Sequence, residues 1–565
     1  MGAGEERSRV MRRRMIVTVT FVAALLLLSV NYGVERLFDE SEQVAQWASL
    51  SWRGGVALMV MACVCMVGIG SASQMLILGL RDCKSRRTEE EKKEKEEKEE
   101  KKGIYVDVIA MAVIVAGVVE SVLGLMQLYG YAPSRHGLFK LTGTFYNPGP
   151  LGGYIAVCVP VALQMATEAK NEIVRWTARV AMVVMLVVLP STMSRTAWVA
   201  AAVGCVYVML SRAGVRKKVM EIVRKRRWIV AAGAVLVIAA GAGLWVLKGA
   251  SAYGRLFMWR MSARAVAAAP IAGHGEFARA YAEAQETYFA SGEATTSDES
   301  AAICPPYAFN EYLDMAVRHG VPVTVVVLLI LAAVVWTGHR GGATGAVGGI
   351  VTLMVFAFAS YPMHVSAFVA MGVALAVSCV MAGGRRWVTA GVCGVVAIGC
   401  WAAYPRTGER LEAMREWEKV RRVYTFNMYE AAAREYEPMY KKMRWNGAFL
   451  YEYGHALHKT GEYRRSNEVL KEAGELMGDP MILNVMGKNY IEMGEYSEAE
   501  RCLRRSVARM PNRMYPHYLL FTLYGRTGDV VRQREEGEKV LTMEVKVESP
   551  AVEEMRGKVK LGIRN

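Results

Sequence analysis

Apolar residues in this chain are gathered in blocks, and most charged residues lie between the blocks or after the last one. A helix of about 20 apolar residues crosses a hydrocarbon core of about 30 Å, and the blocks have roughly this length. The pattern therefore predicts an all-α fold that begins with a polytopic membrane helix bundle of about eleven transmembrane helices. These predicted spans lie near residues 15–33, 55–80, 104–128, 150–166, 179–193, 196–211, 228–247, 321–338, 342–359, 365–382 and 388–404.

Lysine and arginine residues are concentrated in every second connection between the predicted spans. By the positive-inside rule, basic connections mark the cytoplasmic side, so the N-terminus is predicted to be cytoplasmic. An odd number of spans then places the segment after Tyr404 on the opposite, outer side, together with a long loop at 248–320. The basic connections comprise residues 7–14, 81–102, 170–179, 212–227, 339–340 and 385–386.

The segment after the last predicted span repeats itself. The Gly-Glu-Tyr tripeptide at 461–463 recurs at 494–496 and, more loosely, at 528–530, which are spacings of 33 and 34 residues. This is the period of tetratricopeptide repeats, so the sequence predicts a soluble α-solenoid over residues 411–550. Such a stack offers a concave surface to a peptide or another protein. The alternative is a spacer that only stabilises the membrane part.

Composition narrows the classes of function. Of 565 residues, 53% are hydrophobic and 22% are charged, and the net charge is +16. The basic residues lie in short runs beside apolar blocks and form no surface with interleaved aromatic residues, which argues against nucleic acid as a partner. Most cysteines lie inside apolar blocks, where a thiol behaves as a small hydrophobe, so neither a disulfide framework nor a metal site is predicted. These are Cys63, Cys65, Cys158, Cys205, Cys379, Cys393 and Cys400.

Three domains are predicted from these patterns. Residues 1–103 contain N-terminal membrane helices and a charged cytoplasmic loop, and residues 104–404 form a membrane domain. The loop at 248–320 within that domain is long for a connection between two helices, so it is expected to fold over the bundle and form a site. Residues 411–550 form the repeat domain.

Two polar residues stand out within the predicted spans. Glu120 and Gln127 lie in the third span, and both are expected to face the bundle interior or a wet cavity because polar groups are costly in lipid. Either a structural hydrogen bond or a functional role explains them. A transporter is disfavoured, because it would be expected to show broken helices or charged residues in several spans.

Several polar motifs follow one another on the predicted outer face. Arg195 lies at the mouth of two short helices, where its guanidinium can hold a phosphate or extend to lipid head groups. In chain order the motifs are Leu141-Thr142-Gly143-Thr144-Phe145 with Asn147-Pro148, Ser194-Arg195-Thr196-Ala197-Trp198, Arg255 with Trp259, Pro270 to Gly275, and Asn310-Glu311-Tyr312-Leu313. This order, from about residue 104 to 382, resembles the O-antigen ligase and polymerase superfamily.

The resemblance implies a reaction and a location. In that superfamily a glycan carried on undecaprenyl pyrophosphate is transferred to an acceptor at the periplasmic face, without a nucleotide sugar, a required metal or another cofactor. The expected partners are therefore the lipid-linked glycan, a glycan, lipid or protein acceptor, and membrane lipids. The chain is expected to be a multi-pass protein of a bacterial inner membrane, with its repeat tail in the periplasm.

The resemblance also implies roles for individual residues. Arg195, Arg255 and Arg260 are expected to stabilise the departing pyrophosphate, because arginine donors can oppose the charge that develops there. Asn310 is expected to contact the substrate. A further group is needed to take the proton of the acceptor hydroxyl.

The chain departs from the family at the proton acceptor. Many ligases have a histidine just before the asparagine of the last motif, and this chain has Phe309 there. Glu311, if buried, is one candidate catalytic residue, and His274 and His319 are the alternatives. An enzyme without a side-chain base, or a degenerate enzyme, also remains open.

The predicted function is a membrane glycan transferase of the O-antigen ligase type. Its acceptor is lipid A core, another glycan as in a polysaccharide polymerase, or a protein hydroxyl. The repeat tail favours a protein acceptor or a protein partner, because helical repeats bind peptides more readily than sugars. The alternative is a non-enzymatic envelope scaffold that recruits proteins through its repeats, a hypothesis supported by the missing histidine.

Overall fold

Helices account for all the regular secondary structure in the described part of the chain, where no strand occurs. The all-α prediction is therefore confirmed for these residues. The structure, a computed structural model, describes residues 89–134, 136–225, 228, 249–383, 409–545 and 548–564. Four predicted spans lie outside the described residues: 15–33, 55–80, 228–247 and 388–404. Only residue 228 of the third of these spans is described. The total of about eleven spans consequently stays a prediction.

The chain divides into two compact units. The membrane unit comprises Met1–Leu236 and Val326–Leu411, and the loop-tail unit comprises Val237–Val325 and Glu412–Asn565. The compact units therefore group the predicted outer loop with the repeat tail, whereas the predicted domains joined that loop to the membrane helices.

The helices between the first described residue and residue 383 comprise those of the apolar blocks, one in a basic connection and three in the predicted outer loop. In chain order they are α1 (Glu89–Leu128), α2 (Pro148–Glu168), α3 (Glu172–Ser191), α4 (Arg195–Ser211), α5 (Ala213–Lys225), α6 (Gly249–Ala268), α7 (Phe277–Ala290), α8 (Thr296–Ala301), α9 (Glu311–Arg340), α10 (Thr344–Ala357) and α11 (Ser366–Ala382). A 3₁₀ turn, Pro362–His364, precedes α11. The boundary between the two compact units falls within α9, after Val325.

Four helices of the described residues are long and apolar enough to cross a membrane: Val106–Leu128 within α1, and the whole of α2, α3 and α9. Helices α4 and α5 add a fifth span if they are counted together, although the pair bends by 101°. Helices α10 and α11 are apolar but shorter. Each predicted span in this part of the chain thus coincides with a helix, and the basic connection predicted at 212–227 is itself helical over α5.

Close packing in the membrane unit depends on small residues. A Cβ added at Gly204 of α4 would lie 2.7 Å from the carbonyl oxygen of Gly348 of α10, so these helices touch along their backbones. Such contacts stabilise membrane helices by van der Waals packing, because lipid leaves little hydrophobic drive for helix association. Helix α3 instead exposes Val180, Val183 and Val187, as expected of a surface that faces lipid.

The predicted outer loop is a folded structure with its own hydrophobic core. Aromatic and methionine side chains from α6 and α7 pack together and exclude water, which stabilises the loop by about 25 cal/mol per Å² of apolar surface buried. The buried members include Phe257, Met258, Met261, Phe277, Tyr281 and Tyr288.

The tail is a series of helices that pack against their neighbours in sequence. They are residues 409–425 (α12), α13 (Tyr429–Met443), α14 (Gly447–Lys459), α15 (Tyr463–Leu476), α16 (Pro480–Glu492), α17 (Tyr496–Arg509), α18 (Met514–Thr527), α19 (Val530–Thr542) and α20 (Pro550–Arg564). The helix ends follow the repeated tripeptide, because its glycines at 461, 494 and 528 all have positive φ angles and close the turn between helices.

Equivalent contacts recur along the tail at the period of the sequence. A Cβ added at Gly454 would lie 2.6 Å from Leu470, and one added at Gly487 would lie 2.7 Å from Leu503. In each pair a glycine of one helix packs against a leucine of the next helix, so the sequence period corresponds to a structural repeat. Its assignment to the tetratricopeptide class stays a prediction.

Candidate functional site

The first motif is held in place by the two polar residues of α1. The Gln127 side chain accepts the backbone N–H groups of Thr142 and Gly143 at 2.9 and 2.6 Å, and it donates to the carbonyl of Gly143 at 2.9 Å. Glu120 accepts the backbone N–H and the hydroxyl of Thr144 at 3.0 and 2.6 Å. Both residues are buried, so the expectation that they face the interior is confirmed. Their described contacts position the loop that leads into α2.

The second motif forms a tight turn between α3 and α4. Met193 has a positive φ of 53°, and the Thr192 hydroxyl donates to the carbonyl of Leu189 at 2.7 Å. The indole N–H of Trp198 donates to the same carbonyl at 2.9 Å. Arg195 is the first residue of α4 and is partly buried. The motif therefore fixes the backbone from which this arginine projects.

Helix α2 connects the first motif to the second. Asn147 caps its N-terminus by accepting the N–H of Gly149 at 3.1 Å. A Cβ added at Gly152, one turn further, would lie 3.0 Å from the Cβ of Ser194. The N-terminal end of α2 thus packs against the turn that carries Arg195, and both motifs meet in the membrane unit.

In the loop-tail unit, Arg260 is bound to a buried carboxylate. Asp298 is 1% exposed and forms an ion pair with Arg260, whose own side chain is 46% exposed. The hydroxyls of Tyr253 and Tyr288 donate to Asp298 at 2.8 and 2.7 Å. Thr295 adds a reciprocal capping interaction at the start of α8. Asp298 therefore ties three helices together and fixes the direction of the Arg260 guanidinium.

The same donors keep Asp298 ionised. Burial alone would raise the pKa of Asp298, but hydrogen bonds from Thr295, Tyr288 and Tyr253 outweigh it and leave the pKa well below its ordinary value. Asp298 is a residue that positions Arg260, and the motif pattern did not indicate it. The available signal was the threonine three positions before it, since Thr-x-x-Asp is a variant of the capping box at a helix start.

The Pro270 to Gly275 motif packs against the bend in α9. Gly320 interrupts α9 with a φ of 83°, and a Cβ there would collide with the carbonyl of Ile271. Gly273 has a φ of 68°, and a Cβ there would collide with the carbonyl of Arg318. The N–H of Val321 donates to Pro270 across this contact at 2.8 Å. Glycine is thus required on both sides by the close approach of two backbones.

Among the three candidate bases, His274 is held between α6 and α9. Its ring Nε2 donates to the carbonyl of Ala265 at 2.8 Å, and its backbone N–H donates to Val317 at 2.7 Å. His319 is exposed on α9, next to the bend. Glu311 lies in the first turn of α9 and is 6% exposed.

The last motif begins α9, with Asn310 as its cap. The Asn310 side-chain oxygen accepts the N–H groups of Tyr312 and Leu313, both at 3.1 Å, while Phe309 adopts a positive φ of 50°. The predicted substrate residue is therefore also a capping residue, a role worth about 1 kcal/mol of stability.

Asp314, one turn into α9, secures the same end of the helix. It accepts the N–H of Ala308 at 3.2 Å and the guanidinium of Arg318 at 2.7 Å. This i,i+4 pair was readable from the sequence but was not singled out. It adds a second tie between the start of α9 and the segment before it.

The predicted site residues therefore divide between the two units. Arg195 belongs to the membrane unit, whereas the other six belong to the loop-tail unit. Those six are Arg255, Arg260, His274, Asn310, Glu311 and His319. Within the loop-tail unit, α6 carries two arginines and contacts His274, and α9 carries the remaining candidates.

Together, the fold and these residues define a helical integral membrane protein in which a folded, arginine-bearing loop precedes the apolar helix α9. Residues 180–328 match the family model described as O-antigen ligase. The match runs from α3 to α9 and includes every predicted site residue, so this segment is similar to the O-antigen ligase family and supports the resemblance that the motifs indicated. This similarity supports a role like that of a membrane glycan transferase in O-antigen synthesis. No curated protein and no solved structure matches the chain.

Proposed function

We propose that the protein transfers a glycan from undecaprenyl pyrophosphate to an acceptor hydroxyl at the periplasmic face of the membrane. The observation that carries this proposal is the position of the family match, because residues 180–328 contain all three arginines and all three candidate bases. A scaffold would need none of these residues. Their presence in one matched segment favours an enzyme over the non-enzymatic alternative.

The reaction places two demands on the site. The acceptor oxygen attacks the anomeric carbon, the bond from that carbon to the pyrophosphate oxygen breaks, and undecaprenyl pyrophosphate leaves with the electron pair. Arg195 and Arg255 are proposed to bind the pyrophosphate, since a guanidinium can donate two parallel hydrogen bonds to phosphate oxygens. Arg260 is proposed to assist through the part of its guanidinium that faces solvent, held rigid by Asp298.

Glu311 is the proposed base for the acceptor proton. It is buried at the start of α9, next to Asn310, whereas His274 already donates its Nε2 proton to Ala265 and His319 is exposed. A general base works best where water is excluded and its position is fixed. Glu311→Gln should therefore reduce transfer by about a hundredfold or more, while His319→Gln should retain most of the activity.

The acceptor remains one of lipid A core, a second glycan or a protein hydroxyl. Surface glycans and glycoproteins should be compared in cells with and without the gene, with Glu311→Gln as the matched inactive variant. Loss of a lipid-linked product, of a polymer ladder or of protein glycosylation indicates the three acceptors respectively. Unchanged levels of all three would contradict the proposed function and favour the scaffold.

The orientation of the chain is part of the proposal. A reporter that is active only in the cytoplasm, fused after Gly461, should be silent, because the basic connections alternate through an odd number of spans. A silent reporter at a matched expression level agrees with a periplasmic tail. Activity at this position would mean that a span was miscounted.

A further inference from the structure

Helix α7 of the loop lies against the tail repeats, and it is held there by charge. Glu286 receives the guanidinium of Arg505 at 2.6 Å on one oxygen and that of Arg509 at 3.0 Å on the other. Gln285 donates to the backbone carbonyl of Arg509, and the Arg509 side chain is only 5% exposed. A carboxylate that is paired with two arginines and shielded from water forms a directional contact rather than an adventitious one.

A glycine of the tail allows the two backbones to approach closely. Gly478 lies in the turn between α15 and α16, and a Cβ there would lie 2.6 Å from the Cβ of Ala282 and would collide with the carbonyl of Ala278. All three of the nearest atoms to that Cβ belong to α7. The closest obstacles to a side chain at this position therefore come from the loop.

The contact extends over two successive turns of the repeat stack. In the first turn, Glu475 pairs with Arg279 of α7 at 3.3 Å. In the second, between α17 and α18, the side chain of Asn512 donates to the carbonyls of Ala302 and Ser300 at 3.1 and 3.5 Å. Two repeats thus present matching turns to α7 and to the end of α8.

The opposite face of α7 packs against the helix that carries two of the proposed substrate arginines. Tyr281 and Tyr288 of α7 share a buried core with Phe257 and Met261 of α6. The Tyr288 hydroxyl is also 3.1 Å from Arg260. Helix α7 therefore lies between the tail on one side and the arginine-bearing helix on the other.

We infer that the tail repeats are a docking surface for α7 of the same chain and that, through α7, they position the arginines of α6. This inference rests in part on the proposed function, since it assigns the tail a role in glycan transfer. Because side chains do not pair through a bilayer, the loop and the tail lie on one side of the membrane. Glu286 and Gly478 are positioning residues, and a peptide acceptor would have to use a different surface of the repeats.

Gly478→Ala tests the docking with a single methyl group. In the purified full-length chain, hydrogen exchange of the α7 amides should accelerate by about tenfold, because the loop must move away while the tail keeps its fold. Gly474→Ala is the matched control, since the nearest atom to its Cβ is 4.0 Å away and belongs to the tail. If the hydrogen-exchange rates of the α7 amides are identical in Gly478→Ala, Gly474→Ala and the wild type, the docking is overturned.

Charge reversal tests the positioning role. Glu286→Arg should reduce glycan transfer by about tenfold, and Arg505→Glu in the same chain should recover part of the loss by restoring an opposite pair. Thr287→Arg is the control, because Thr287 is exposed on the same helix and its hydroxyl donates to the Glu283 carbonyl within that helix. A structural defect would not be rescued by the second reversal.

The two measurements separate the docking from the proposed function. Faster α7 exchange together with reduced transfer supports both the docking and the positioning. Faster exchange with unchanged transfer would overturn the positioning, as would a Glu286→Arg defect that Arg505→Glu fails to relieve. If the wild-type chain transfers no glycan, the proposed function and the positioning both fail, whereas the exchange comparison still decides whether the tail binds α7.

Discussion

Glu120 in the membrane unit and Asp298 in the loop-tail unit are both buried carboxylates, and they hold different kinds of group. In the membrane unit, Glu120 accepts hydrogen bonds from the backbone and the hydroxyl of Thr144. In the loop-tail unit, Asp298 accepts two tyrosine hydroxyls and pairs with Arg260. The first contact positions the backbone of a motif, and the second positions the side chain of an arginine.

This difference explains why a family motif does not assign roles by itself. Arg195 and Arg260 both lie in the segment that matches the family model, yet Arg260 is already paired with the buried carboxylate of Asp298. An arginine held in this way is preorganised, because its rotamers are restricted before any substrate arrives. The buried partner of an arginine is thus as informative as the arginine itself.

The largest predicted effect on stability follows from removing Asp298. Asp298→Ala leaves Arg260 and four donor groups of Tyr253, Tyr288 and Thr295 without their acceptor, and each buried donor left unsatisfied costs about 1 to 3 kcal/mol. The loop should unfold locally before the membrane helices do. Hydrogen exchange of α6 and α8 in the full-length protein measures this loss.

Glu293→Ala is the control for the effect of Asp298→Ala on hydrogen exchange. Glu293 pairs with Arg264 at 3.1 Å on the surface of the same loop, where an ion pair contributes about 1 kcal/mol or less. Glu293→Ala should therefore change exchange only slightly. Equal effects of the two substitutions would contradict the structural role of Asp298.

A smaller effect is predicted for Glu120→Gln in the membrane unit. The amide of glutamine keeps one oxygen that can accept a hydrogen bond from Thr144. Its NH₂ group replaces the second acceptor and faces the other donor of Thr144, which should lower the free energy of unfolding by about 1 to 3 kcal/mol. The segment from Leu141 to Asn147 should exchange its amides faster while α1 stays helical. Ser121→Ala is the matched control, because the Ser121 hydroxyl donates to Gly117 within its own helix. If both variants exchange alike, Glu120 does not secure the loop.

The smallest predicted effect is a pH dependence of the tail. Burial lowers the pKa of His455 from 6.5 to about 4, with further repulsion from Lys459, His458 and Lys488. The folded tail thus favours the neutral ring, so its stability is complete above about pH 6.5 and falls as the pH drops toward 4. Between pH 7 and 5 the free energy of unfolding should decrease by about 1 to 2 kcal/mol.

His455→Gln provides the comparison for the pH experiment. Without the titrating ring, the exchange of α14 amides should depend less on pH than in the wild-type chain. The membrane unit serves as an internal reference, since this histidine lies in the tail. If the pH dependence of exchange is the same in His455→Gln and in the wild type, other titrating groups cause it.

Sequence patterns predicted the local structure well where the pattern itself is local. Apolar blocks located the membrane helices of the described residues, because crossing a bilayer requires a continuous apolar run. Glycine recurrence located the turns of the tail. The expectation for Glu120 also held, because a polar group inside a membrane bundle must find a partner there.

Those patterns could not predict contacts between residues that are far apart in the sequence. Glu286 and Arg505 are 219 residues apart, and neither periodicity nor charge runs indicate which acid meets which base. The pairing of Arg260 with Asp298 could not be predicted for the same reason, although the sequence does show the capping threonine three residues before Asp298. The predicted boundary between membrane domain and tail did not anticipate that the loop and the tail form one compact unit.

The central claim is that Arg195, the first residue of α4, binds the donor pyrophosphate during glycan transfer. Transfer should be measured for Arg195→Ala and Arg195→Lys at matched membrane levels, with Arg212→Lys, at the opposite end of α4, as the control. Arg195→Ala should lose about a hundred- to a thousandfold in rate, because a donor to the leaving group is removed. Arg195→Lys should also be strongly impaired, since it keeps the charge but loses the bidentate fork. Wild-type transfer by Arg195→Ala would contradict the account, and full activity of Arg195→Lys would show that the arginine only reaches lipid head groups.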